Sequence, residues 1–377
     1  MNKMNKMLSF VFGLVFSFSL LSSKNNFIIA TDTECPVTQY IDTTLSDRRT
    51  NKTMLRYIQY NIEWLFIDYY ASADCPGNGC TWKNLSQAQT HMKYVSDVVN
   101  KLNPDIINFC EIEGCDELNM LKEQLQSVTT ASIQDTYNSY LKKGTDTSTG
   151  QNVGMLTRID PLVNLYRDET HISYPISGSK CNYTGTGSSG SSKHYMTEFN
   201  INGMKIAMIG AHLVAIPTEP SRCAQREAQA QVLQNNIYGY VEKGYEVIVL
   251  GDMNDFDAEV LDVNSNIPKS YVLDILKGSY GTYQNKYSLI NSASRMSQSD
   301  RYSDWYDSDN NCSKDSFLVK STKKKTSSTK DYSMIDHVLV TPNLDKKISN
   351  VFIYHGYDEY CGKYNSDHYP VVVDFSF

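Results

Sequence analysis

Short apolar runs, each closed by a polar or charged residue, recur along this chain from residue 55 to its last residues. This pattern constrains the fold more than any other feature of the sequence. The runs are rich in β-branched and aromatic residues and are of strand length: Leu55–Tyr60, Asp105–Cys110, Val153–Thr157, Tyr195–Asn200, Met204–Gly210, Glu246–Leu250, Met334–Thr341, Val351–Tyr354 and Val371–Phe375. Asn202-Gly203 joins two of them as a tight hairpin turn. Helices fit between the runs. Ser86–Leu102 carries an apolar face and stops ahead of Asn103-Pro104, and Ser221 caps a helix through Gln231 and Tyr240 that ends at Gly244. Strands mixed with helices, with one hairpin, predict an α/β protein built as a two-sheet sandwich.

No linker divides the runs, so residues 52–377 read as one domain after a polar N-terminal segment, 24–51. Thr145–Gln151, Gly178–Lys193 and Lys314–Lys330 are rich in Gly, Ser, Thr and Lys and read as surface loops. Ahead of all this, Lys3 and Lys6 precede an apolar run, Leu8–Leu21, and the small residues Ser22 and Ser23. That run falls short of the roughly 20 residues that span a bilayer. It reads as a signal peptide over 1–23, with Ala30 a second cleavage point, and no other stretch reads as a transmembrane span. The sequons at Asn51, Asn84, Asn182 and Asn311 agree with a secreted, glycosylated chain.

All nine cysteines follow the leader, so disulfides are expected in an oxidising compartment, and the odd number leaves one thiol over. Cys75 and Cys80 bracket a turn-rich Pro-Gly-Asn-Gly segment that could close a small loop. Losing the leader with Lys3 and Lys6 takes the formal charge from −7 to −9. An acidic chain argues against a high-affinity nucleic-acid binding module, whose affinity comes from neutralising phosphates. It leaves room for an enzyme that contacts phosphate through a metal and releases quickly.

The residues that close the runs carry the chemistry. Asn61 follows Arg-Tyr-Ile-Gln-Tyr, Glu111 follows Ile-Ile-Asn-Phe-Cys, and His212 follows Ala-Met-Ile-Gly-Ala. Asp252 and Asn254 follow Val-Ile-Val-Leu-Gly, Asp336 sits in Ser-Met-Ile-Asp-His-Val-Leu-Val, and Asp367-His368 precede Tyr-Pro-Val-Val-Val. Strand ends aim side chains into one crevice of an α/β fold. Carboxylate and amide oxygens are hard ligands for Mg²⁺ or Mn²⁺, with Ca²⁺ a further candidate. Such an ion polarises a phosphoryl oxygen and activates water, histidines move protons near neutral pH, and an Asp beside a His fixes its tautomer. Each residue alone has an ordinary reading as a turn, cap or core group; their recurrence at one position in every run points to phosphate-ester cleavage.

The ordered motifs Tyr60-Asn61-Ile62-Glu63-Trp64, Asn108-Phe109-Cys110-Glu111-Ile112, Gly210-Ala211-His212-Leu213, Gly251-Asp252-Met253-Asn254-Asp255-Phe256, Ser333-Met334-Ile335-Asp336-His337 and Ser366-Asp367-His368-Tyr369-Pro370 resemble the DNase I-like endonuclease/exonuclease/phosphatase superfamily over roughly residues 56–377. The resemblance implies a four-layer αββα sandwich, two packed mixed sheets flanked by helices. By motif it implies Glu111 as the principal metal ligand with Asn61 and Asp367 close to the ion. It implies Asp252 as the group that orients or deprotonates the attacking water, and Asn254 as a phosphate contact. His368, oriented by Asp336, would meet the scissile phosphate, and His212 would serve the leaving group. Secreted DNase I-type enzymes place a glutamate near position 151 to pair with that second histidine; this chain has Gln151 there.

Arg222 and Arg226, at helical spacing after His212, could reach phosphate or form a solvated helix face. A monomeric secreted nuclease acting on DNA or RNA is the leading expectation, with Lys323–Lys325 as a local basic loop. A neutral sphingomyelinase-like phospholipid phosphodiesterase is the alternative, with Trp64, Trp82 and Trp305 as candidates for membrane contact, and a catalytically inactive binding relative is a third reading.

Overall fold

The computed structural model describes residues 34–35, 46–69, 81–128, 136–305, 332–357 and 364–377. Two mixed sheets form the body. The first has six strands in the order β14 (Ile348–Ile353), β15 (Val371–Ser376), β1 (Met54–Leu65), β2 (Ile106–Ile112), β4 (Asn152–Thr157) and β3 (Asn138–Leu141). The second has five: β10 (Ile290–Asn291), β13 (Asp336–Val340), β9 (Glu246–Asp252), β8 (Met204–His212) and β7 (Lys193–Ile201). Each sheet is built round one parallel pair, β1–β2 and β8–β9, with antiparallel neighbours. Two small ribbons, β5–β6 (Ile172–Tyr174, Gly187–Ser189) and β11–β12 (Asp304–Trp305, Tyr332–Ser333), stand apart.

Side-chain alternation along the strands sorts the apolar residues into three layers. Leu55 and Tyr57, Ile106 and Cys110, Ile206 and Met208, Ile248 and Leu250, and Val371 and Val373 point between the sheets. Ile58, Tyr60, Ile107 and Phe109 point outward to helices α1 (Leu85–Leu102) and α2 (Cys115–Val128). Ala207, Ile209, Val247 and Val249 point the other way, to α3 (Pro220–Glu242) and α4 (Val272–Lys277). A fifth helix, α5, is a single turn at Pro342–Asp345. The architecture is the αββα sandwich expected. Central strands buried on both faces explain why their sequences read as nearly unbroken apolar runs.

Every strand read from the sequence is present, and Asn202 and Gly203 both take positive φ (53° and 82°) at the hairpin. The helix after His212 differs at its start. Glu219, not Ser221, accepts the first free backbone N–H groups, and Pro220 takes the first helical position. Asn84, the residue of one sequon, caps α1, with its side chain accepting from Gln87 N at 3.0 Å. Asn51, Asn84 and Asn182 are exposed; Asn311 lies outside the described residues.

Disulfides join Cys35 to Cys115 and Cys181 to Cys223, and Cys110 is a free, buried thiol. Cys75 and Cys80, the leader and the Lys323–Lys325 loop lie outside the described residues. The polar N-terminal segment is tied to the domain by the first disulfide and by Arg48, which pairs with Asp160 and donates to the carbonyls of Thr136 and Thr157. Among the described residues no helix is long and apolar enough to cross a membrane.

Candidate active site

Alternation places the site. His212, Asp252 and Asp336 lie side by side in register on β8, β9 and β13. Asp252 is two residues beyond Leu250, Asp336 two before Val338 and His212 four beyond Met208, all side chains that point between the sheets, so all three point there too. On the other sheet Asn61 continues the inward series Leu55, Tyr57, Gln59. β13 and β15 run antiparallel to β9 and β1, so their beginnings lie beside those strands' ends. Asp336 and the Asp367-His368 segment thereby reach the same edge. Gly251 lets β9 press against β8: a Cβ there would sit 1.8 Å from the Ala211 carbonyl oxygen.

Glu111 reaches the edge by a different device. Strict alternation would send it to the helix face, opposite to Cys110. The β1–β2 and β2–β4 ladders shift register here, and Glu111 takes φ 68°. This bulge adds one residue and turns Ile112 to the helix side, leaving Glu111 aimed at the cleft. Glu63 and Trp64, at φ 49° and 51°, make a matching irregularity in β1, and Trp64 N–H donates to Glu111 Oε2 at 3.1 Å.

The groups converge on one point. Asn61 Nδ2 donates to Asp252 Oδ2 (3.0 Å) and Glu111 Oε1 (3.3 Å), and lies 3.4 Å from His368 Nε2. His212 Nε2 is 3.6 Å from Asp252 Oδ2 and 4.0 Å from Glu111 Oε1. His368 Nδ1 donates to Asp336 Oδ2 at 2.7 Å, while its Nε2 faces Asp304 (3.6 Å), Asp367 (3.8 Å) and Asp252 (3.9 Å). Asp336 also accepts from Gln59 Nε2 and Ser303 Oγ, both at 2.9 Å. Asn254, at φ 50°, donates its amide to Leu213 O (3.1 Å), and its backbone N–H is held by Asp252 Oδ1 (2.9 Å).

The two histidines carry different charges. Burial alone would lower His368, but Asp336, Asp367 and Asp304 outweigh it and hold it well above the usual imidazole range. Burial, the Lys193 cation and His368 hold His212 well below that range, so it is neutral. The carboxyls are crowded. Burial and then the Asp336 charge push Asp252 up to about 8. The low-dielectric cleft, with Glu111 and Asp304, pushes Asp367 up to about 7. Glu63 is raised well above its ordinary value by burial and by Asp367.

A cluster of hard oxygen donors that repel one another when ionised fits a divalent cation, which would relieve the repulsion. Two sets of ligand-capable groups lie close enough to share an ion: Asp252, Asp336 and His368, and Asp304, Asp367 and His368. Cation binding needs these carboxyls ionised, so affinity follows their deprotonation. Titration calorimetry with Mg²⁺ is expected to show affinity rising about tenfold or more from about pH 6 to pH 8, then levelling off. A flat affinity across that interval would mean the carboxyls are already ionised in the free protein. The sign for folding is the reverse of the usual carboxylate case. Raised values make the metal-free fold weaker as pH climbs toward 8, because the folded state holds protons that the unfolded chain releases.

All eight residues read as catalytic or metal-holding are thus brought to one edge. Arg222 is exposed in the first turn of α3 and makes no side-chain bond to the site among the described residues. Arg226 does not reach phosphate: it is fully buried, pairs with Asp255 (3.2 Å) and donates to the carbonyls of Val214, Ile216 and Pro217. Gln151 does not pair with His212; it accepts from Lys193 Nζ at 3.1 Å, and His212 Nδ1 has no partner among the described residues. Lys193, read as the end of a surface loop, is instead the buried first residue of β7, opposite His212 in the ladder. Sequence reasoning also missed Asp304, Gln59 and Ser303.

This fold and this edge of carboxylates and histidines define a metal-dependent hydrolase of phosphate esters. The model of the Endonuclease/Exonuclease/phosphatase family matches residues 58–368, and the chain belongs to that family. Its members' chemistry makes the chain a metal-dependent phosphodiester hydrolase. An endonuclease/exonuclease/phosphatase family protein from Leptotrichia buccalis C-1013-b is similar in structure, with 12% identity, 86% of this chain and 100% of that chain covered, and TM-score 0.50. Truncated Caenorhabditis elegans TDP2 is similar at 16% identity, with 86% and 98% covered and TM-score 0.47. At 12% identity the likeness to the Leptotrichia buccalis protein bears on the fold alone. No curated protein matches the chain.

Proposed function

We propose that the chain is an exported nuclease that hydrolyses DNA or RNA phosphodiester bonds with Mg²⁺ or Mn²⁺. The observation that carries the reading is the pairing of a charged His368 with a neutral His212 across Asp252, beside Glu111. Cleavage of a phosphodiester needs charge stabilisation at the phosphoryl oxygens and help at the alkoxide leaving group. Glu111, with Asn61 and Asp367, would hold the ion, which would supply charge stabilisation and a more acidic water. Asp252, whose raised value suits proton acceptance near neutral pH, orients the attacking water and takes its proton. The His368 imidazolium, fixed by Asp336, stabilises the phosphoryl oxygens, and Asn254 contacts them from the β9 turn. His212 offers a neutral N–H to the leaving oxygen, as neutral imidazoles do where charge develops on oxygen.

Two observations favour nucleic acid over phospholipid. Trp82 and Trp305 are buried, and Trp64 packs on Phe66, so the tryptophans form no membrane-entering face. Of the exposed large apolar side chains among the described residues, Met54, Tyr94, Ile216 and Ile267 are far apart along the chain, and Leu162, Val163 and Tyr166 form one short exposed group. Export is supported by the N-terminal leader pattern and by the two disulfides, which belong to an oxidising compartment. Purified protein incubated with plasmid DNA, RNA and sphingomyelin vesicles is expected to cut a nucleic acid with Mg²⁺ and nothing with EDTA. Cleavage of sphingomyelin alone would overturn the nuclease assignment, and no cleavage with any divalent ion would favour a binding role.

A further inference from the structure

One step deeper than the catalytic edge, the space between the sheets holds two amide side chains. Gln59 precedes Asn61 by two residues on β1, and Asn108 lies between Ile106 and Cys110 on β2. Both belong to the inward series of their strands, and they sit directly opposite each other in the β1–β2 ladder. Neither has any exposed surface. The core they share is apolar, with Tyr57, Tyr195, Met208 and Leu250 among its members. Packing alone has no use for amides in such a core, because each brings polar groups that must be paired.

The two amides form a chain of hydrogen bonds that ends on the histidine of the site. As a carboxylate Asp336 only accepts, so the atom that Gln59 turns toward it is Nε2, at 2.9 Å. That leaves Gln59 Oε1 facing Asn108, which presents its NH₂ at 2.5 Å. The Asn108 carbonyl oxygen is left over, buried with no partner among the described residues. The order is therefore directed. Asn108 donates to Gln59, Gln59 donates to Asp336 Oδ1, and Asp336 Oδ2 accepts His368 Nδ1–H at 2.7 Å. Turning the Gln59 amide over would set acceptor against acceptor at Asp336.

The fold makes room for this chain. Gly210 holds the inward place on β8 two residues before His212, and a Cβ there would lie 2.2 Å from Asn108 Oδ1. A glycine inside a strand and a buried carbonyl without a partner are both unfavourable. What they support is a donor fixed on Asp336. Ser303 Oγ shares the Oδ2 oxygen with His368, so among the described residues Gln59 is the donor that holds Oδ1. Gln59 comes from the six-stranded sheet and Asp336 from the five-stranded one, so the bond crosses between the two sheets that supply the site.

We propose that Gln59, oriented by Asn108, is a positioning residue for the reaction: it fixes the Asp336 carboxylate, and through it the His368 ring. The inference rests on the roles proposed above for Asp336 and His368 and not on nucleic acid as the substrate.

The test uses the full chain with Mg²⁺ and bis(4-nitrophenyl) phosphate, a diester. Gln59→Met keeps a similar volume and removes the donor. It is expected to lower kcat about tenfold at unchanged KM, as when a residue that orients a functional side chain from behind is lost. In the Asp336→Asn background the same change should cost less than about a further twofold, because the group it acts through is already altered. A lesion of stability alone would multiply the two losses. Unchanged kcat, a rise in KM alone, or losses that multiply overturn the assignment. Should Gln59→Met fail to fold, Gln59→Met combined with Asn108→Leu removes both amides and leaves no unpaired NH₂ behind. The same fall in kcat then supports the proposal, and parental kcat overturns it.

A second readout needs no turnover. In metal-free protein with isotope-labelled histidines, the His368 Nδ1–H proton resonance is assigned by its loss in His368→Ala. It should move in Gln59→Met, since the carboxylate it donates to has lost a donor and a fixed orientation. A resonance that keeps its parental position overturns the link. A parent chain that hydrolyses no diester defeats the roles given to Asp336 and His368, and the resonance then judges the link by itself.

Discussion

Glu111→Gln is expected to give a folded protein that hydrolyses its substrate about 10³-fold more slowly. The glutamine is of similar volume and keeps an oxygen to accept the Trp64 N–H, so the β2 bulge is held, while its NH₂ replaces the oxygen that accepts from Asn61 Nδ2. What it loses is the negative charge where Asn61, His212 and the carboxyls of Asp252 and Asp367 meet. Removing one preorganised group aimed at developing charge costs about 10²–10³ in rate, and this group also holds the ion. The loss should therefore fall in part on metal affinity, with activity partly recovered at high Mg²⁺. Circular dichroism and melting should match the parent chain. A variant with parental kcat/KM at low Mg²⁺ would remove Glu111 from the site.

The same residue shows how far the sequence could be read. Glu111 is visible as a carboxylate closing an apolar run, and Asn61, His212 and Asp252 are visible in the same way. Strand alternation carries Asn61, His212 and Asp252 to the inner face without further information. For Glu111 it points to the wrong face; only the bulge corrects this, and a bulge depends on the pairing of β2 with two neighbours, which is non-local. Asp304 was missed for a related reason. It sits in a polar stretch with no period, and it reaches His368 through a two-residue ribbon with Ser333 and an isolated bridge.

Lys193 was hidden by its company of glycines and serines, which signal a loop whether or not the next residue begins a strand. The short strands β3, β5, β6 and β10–β12 hold two to four residues each, too few for alternation to register. The long strands were legible because burial on both faces demands apolar residues throughout. Helix α3 was legible in extent, but its cap was not, since Ser221 and Glu219 both offer a side-chain acceptor near its start.

Asp336→Asn is expected to lower kcat/KM by about 10²–10⁴, the range seen when a histidine loses the carboxylate that fixes its tautomer. Both oxygens of Asp336 accept: one from Gln59, the other from Ser303 and His368. An asparagine must place a donor against one of them. Set toward His368, its NH₂ displaces the proton from Nδ1 and leaves a neutral imidazole whose one proton sits on Nε2, the nitrogen that faces Asp252. Set toward Gln59, it requires that amide to turn, and Gln59 Oε1 already accepts from Asn108 Nδ2 at 2.5 Å.

Charge adds a second signature to the Asp336→Asn variant. Asp336 is the first of the carboxylates that hold His368 protonated against burial. A histidine that must be charged and has lost that support titrates lower, so activity fades earlier as pH rises. The deficit should thus be smaller near pH 6 than near pH 8. A purely structural lesion would scale the whole profile down without moving it, and a deficit equal at both pH values would show that Asp336 supports the loop rather than the charge on His368.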